Sequence, residues 1–79
     1  MRLSLAEIKE ADSLGNITGA AQQQVVTARA NLNTAALANI NQSSVQWANL
    51  CNNLENAIKS LDAATTAELQ WWRSKGFNV

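Results

Sequence analysis

The sequence predicts an all-α fold: a short N-terminal helix followed by a long antiparallel helical hairpin, three helices in one small domain covering residues 1–79. Three observations lead there. Apolar and small residues recur at spacings of three or four, the period of a helix rather than a strand. No proline occurs, and between Gly19 and Gly76 there is no glycine, so no residue type forces a break over that stretch. Helix-capping side chains gather at two places, Ser4–Glu7 and Asn39–Ser44.

Each element has its own local grounds. Ser4 stands three residues before Glu7, the spacing at which hydroxyl and carboxylate cap each other's backbone donors, and Leu3 and Ile8 flank them as a hydrophobic staple. They open a first helix at about 4–14. Gly15 and Asn16 tolerate a left-handed helix exit and Gly19 adds a second flexible point, so residues 15–19 are expected to form an elbow.

A second helix follows at about 19–40, with Ala21, Val25, Ala28, Leu32, Ala36 and Ile40 on its apolar stripe. A third, at about 44–75, carries Trp47, Cys51, Leu54, Ile58, Leu61, Thr65, Leu69 and Trp72. The turn is placed at 39–44, where Asn41 suits the end of one helix and Ser43, three residues before Gln46, repeats the capping-box spacing. The alternative is one continuous long helix held in a coiled-coil-like assembly, because the same spacing serves both. In the hairpin, the alanine-rich first arm approaches its neighbour closely but buries little area. The larger second arm is expected to leave Val45, Leu50 and Ala57 on its outer side.

Composition narrows the function. A chain of 79 residues buries only about 60% of the surface its unfolded form exposes, so it relies on disulfides, metals, well-packed helices or partners. Cys51 is the only cysteine and there is no histidine; no intramolecular disulfide, metal or cofactor site is expected. Cys51, between Trp47 and Leu54 on the apolar stripe, is expected to be a buried inert thiol, with a bridge between chains as the alternative. Six basic and six acidic residues cancel, which argues against nucleic-acid binding. No apolar run reaches the length of a membrane span. Met1-Arg2-Leu3-Ser4 lacks the apolar core of a secretory signal, so synthesis in the cytoplasm without a signal peptide is expected.

No catalytic residue is assigned. Histidine and tyrosine are absent, and Glu7, Glu10 and Asp12 suit the positive end of a helix dipole better than acid–base work. Glu55 and Lys59 form a stabilising i,i+4 pair. Trp47-Ala48-Asn49 lacks the glycine that defines the WXG-type helical hairpins, so membership in that family does not follow.

Two features point to protein partners. Charged residues are 15% of the chain, and none lies between Ala30 and Leu54, whereas a solvated helix normally carries charges on its outer face. The C-terminal Trp71-Trp72-Arg73-Ser74-Lys75-Gly76-Phe77 combines a helix stop at Gly76, with Phe77 folding back on Trp72, and adjacent tryptophans that cannot both face one stripe. Tryptophan and arginine are the residues favoured at the energetic centres of interfaces. The candidate interface residues are Val45, Trp47, Leu50, Leu54, Trp71, Trp72, Arg73 and Phe77. The expected function is a non-enzymatic structural or assembly subunit, a homo-oligomer or a component of a multi-protein complex such as a minor part of a bacteriophage virion. The alternative is a small helical binding protein that inhibits or adapts a larger protein.

Overall fold

The computed structural model describes residues 3–78, which are all-helical apart from caps and turns. Two helices, α1 (Leu5–Leu37) and α2 (Val45–Ser74), lie antiparallel as a hairpin 54 × 16 × 16 Å. The hairpin is therefore present, but it has two helices rather than three or one.

The start of α1 is the capping box read from the sequence. Ser4 Oγ accepts from the Glu7 N–H at 3.2 Å, and the Ser4 N–H donates to Glu7 Oε1 at 2.9 Å. The elbow expected at 15–19 does not form, and α1 runs through both glycines. Each glycine costs about 1 kcal/mol relative to alanine in a helix interior. Breaking the helix there would separate Glu7 and Glu10 from Lys75 and Trp71 at the far end of α2, a larger loss. An added Cβ at Gly15 would meet Glu68 Oε2 at 3.6 Å, an ordinary contact, and one at Gly19 would meet nothing within 4 Å.

The seam between the helices repeats every seven residues, the period that keeps two helices in continuous register. Ala21, Ala28 and Ala35 of α1 and Ala57 of α2 are the buried apolar residues. Leu14, Thr18, Val25 and Leu32 alternate with the alanines of α1, and Leu50, Leu54, Leu61, Ala64, Glu68 and Trp71 continue the seam on α2, all half-buried. The expected stripes drift off this line. Ala35, not Ala36, faces α2, and Ala57 rather than Ile58, which is 51% exposed. The outer surplus is corrected in the same way: Ala57 is buried, Leu50 half-buried, and Val45 alone of the three is exposed.

The turn lies where the capping residues gather, with two changes of role. Asn39, not Asn41, ends α1: it takes the left-handed conformation at φ 59°. Its N–H donates to the Ala36 carbonyl at 3.1 Å and that of Ile40 to the Ala35 carbonyl at 3.2 Å, which satisfies two carbonyls that a helix end would orphan. Asn41 instead accepts from the Ser43 N–H at 2.9 Å through Oδ1. Ser44, not Ser43, caps α2, its hydroxyl accepting from the Trp47 N–H at 3.1 Å. At the other end Gly76, φ 93°, stops α2, and the Phe77 N–H donates to the Trp72 carbonyl at 3.1 Å.

An uninterrupted α1 has a direct test. Gly19→Ala should raise stability by about 1 kcal/mol, or roughly 4–8 °C in Tm, in thermal unfolding followed by circular dichroism. A fall would mean that Gly19 holds a bend.

Candidate protein interface

The seven-residue register sorts the remaining side chains onto two flanks of different chemistry. On one flank Gln24, Thr27 and Asn31 of α1 face Asn53, Asn56 and Ser60 of α2 across a shallow groove. It is a surface of amides and hydroxyls. On the other, two adjoining grooves share Leu32 and Leu54. Val26, Ala36 and Trp47 line one of them, Cys51 and Ile58 the next, with Arg29 and Glu55 at their borders. Asn33 and Lys59 also border it, but its large side chains are apolar, and Val26 is 55% exposed among them.

A polar clasp closes the open end of the hairpin. Lys75 Nζ lies 3.0 Å from Glu7 Oε2, with both side chains about a third exposed. The Trp71 indole N–H donates to Glu10 Oε2 at 2.9 Å, and Thr18 Oγ1 lies 3.3 Å from Glu68 Oε1 and 3.1 Å from the Leu14 carbonyl. Lys75 also stands over the Trp71 ring, 5.4 Å from its centroid, in cation–π range. The Ser4 backbone N–H, then the Lys75 ammonium and the Ser4 hydroxyl, hold the Glu7 carboxyl below its ordinary pKa. The acidic residues of the first turns thus act as fasteners.

The predicted interface residues divide between the two ends of the hairpin. Trp47 and Leu54 share the apolar flank, and Val45 is 76% exposed beside the turn. Leu50 is half-buried in the seam. Trp71, Trp72 and Phe77 form an edge-to-face series with centroids 4.9 and 5.0 Å apart at the open end. Trp71 is turned to α1 by its bond to Glu10, whereas Trp72 stacks on Phe77; Arg73 is exposed in the last turn of α2. The two groups are some 24 residues apart along one helix, roughly 36 Å, so they do not make one patch.

Comparison with family models, curated proteins and solved structures finds no match. What the arrangement can do is therefore read from its own chemistry. Among the described residues no group of three or more His, Cys, Asp or Glu is placed to hold a metal, and no helix is long and apolar enough to cross a membrane. Cys51, expected to be buried, is half-buried, because it lies beside the seam line of Leu50 and Leu54 rather than on it. Sequence reasoning missed Val26 and Ile58 as exposed apolar residues. The signal that finds them is the exact repeat of Ala21, Ala28 and Ala35, which sets the register and pushes Val26 and Ile58 off the seam.

The clasp makes a pH prediction. Glu7 has a depressed folded-state pKa, so its contribution is complete above the ordinary carboxylate pKa and is lost as pH falls through the folded value. Between about pH 7 and about pH 3 the Tm should fall, and it should fall less in Glu7→Gln. An equal acid-induced fall in the two proteins would show that Glu7 carries none of it.

Proposed function

We propose that this chain is a non-enzymatic structural or assembly subunit, a helical hairpin that works by packing lengthwise against other protein. The supporting observation is the balance of buried and exposed surface. The chain exposes 5728 Å², against roughly 4,700 Å² for a compact protein of 8.5 kDa. The excess carries large apolar side chains: Ile17, Val26, Leu37, Val45 and Ile58 are each more than half exposed. Apolar side chains exposed together mark interaction sites, and Val26 and Ile58 stand with Trp47, Leu32 and Leu54 along two adjoining grooves. The uncharged run from Ala30 to Leu54, which spans the turn and borders both grooves, agrees with a face covered by protein rather than water. A minor component of a bacteriophage virion is one setting for such a subunit.

Size under native conditions tests this reading. Isolated without denaturant from its natural source, the chain is expected in a species several times heavier than 8.5 kDa, in fixed proportion to its partners. Trp72→Ala leaves the Trp71–Glu10 bond in place and should weaken that species while helicity persists. A lone chain in the native extract would contradict the proposal.

A further inference from the structure

We infer that the apolar flank binds a second copy of this chain, related by a two-fold axis parallel to the hairpin, to make a four-helix bundle. This rests on the assembly reading above and names the first partner in it. The facing pairs Glu7–Lys75, Glu10–Trp71 and Thr18–Glu68 fix the relative heights of α1 and α2. Carried along the hairpin, they set Arg29 level with Glu55 and Val26 level with Ile58.

A two-fold axis along the hairpin keeps every height and exchanges the helices. Arg29 then meets the partner's Glu55, and Glu55 meets the partner's Arg29. Val26 and Ile58 meet reciprocally in the same way. Asp62 falls level with Gln22, so this operation brings no like charges together there. Among the described residues Arg29 has no ion-pair partner in its own chain, and Glu55 has only the exposed Lys59, at 3.3 Å. The flank is thus complementary to itself in charge and in apolar content, which is what an isologous interface requires.

The two grooves of this flank run along residues 26–36 of α1 and 47–59 of α2, which centres the contact on the turn half of the hairpin. The groove on the amide flank is lined by no charged side chain, so it offers no reciprocal ion pair, and the two flanks make different predictions.

Sedimentation equilibrium of the purified chain and its variants decides the matter. The chain should have twice the mass of the 8.5 kDa monomer. Ile58→Lys should weaken the dimer at least about tenfold with helicity retained, since the side chain is already half exposed, whereas Asn56→Lys on the amide flank should not. Arg29→Glu should weaken it too, and the double variant Arg29→Glu with Glu55→Arg should restore it. A single-chain mass at all concentrations would overturn this inference while a heavy native species still upheld the assembly reading. A dimer split by Asn56→Lys and not by Ile58→Lys would place the interface on the other flank. A charge-swapped double variant no tighter than Arg29→Glu would overturn the axis.

Discussion

Everything in this hairpin depends on how closely alanines let two helices approach. Ala21, Ala28 and Ala35 recur every seven residues on α1, and Ala57 answers them from α2. Small side chains on the seam bring the backbones together, and the leucines between them interlock at its edges. The cost is area. An alanine removes little apolar surface from water, and among the described residues no large side chain is fully buried. The helices are thus held in a well-defined register by contacts that supply only a modest driving force, in a size range where stability margins are already narrow.

That weakness accounts for the fastening at both ends. At the turn, the left-handed Asn39, the Asn41 side chain and the Ser44 cap satisfy backbone groups within the loop. At the open end Glu7, Glu10, Trp71 and Lys75 join the first turns of α1 to the last of α2. An isolated surface ion pair contributes little. Here the pair is half-buried, reinforced by an indole hydrogen bond and set on a capping box, so the groups restrain one another. The same seam also divides the surface into a flank of amides and hydroxyls and a second flank that brings the larger apolar side chains Val26, Trp47 and Ile58 to its grooves.

Local chemistry made much of this legible in the sequence. The Ser4–Glu7 box, the turn around Asn39 to Ser44 and the Gly76–Phe77 stop each involve residues a few positions apart, and all three form. Two things were hidden because they are decided across the seam. Gly15 and Gly19 read as an elbow, but their helix penalty is small beside the packing that continuity preserves. Ile58 read as core because it stands four residues after Leu54 and three before Leu61, yet Ala57, at three and four, fits the same spacing, and the register across the seam buries it instead. The interface residues inherit that limit. Trp47 and Leu54 lie on the apolar flank, while Trp71, adjacent to Trp72, is drawn inward by Glu10, a partner 61 positions away.

The most direct test of the alanine seam is the unfolding free energy of Ala21→Leu in a denaturant titration. Ala21 is buried between the helices, and a close-packed seam has no room for three further carbons, so the variant should lose about 1–3 kcal/mol. A gain in stability would contradict the account, because it would mean that the helices stand far enough apart at Ala21 for a larger side chain to fill the space between them.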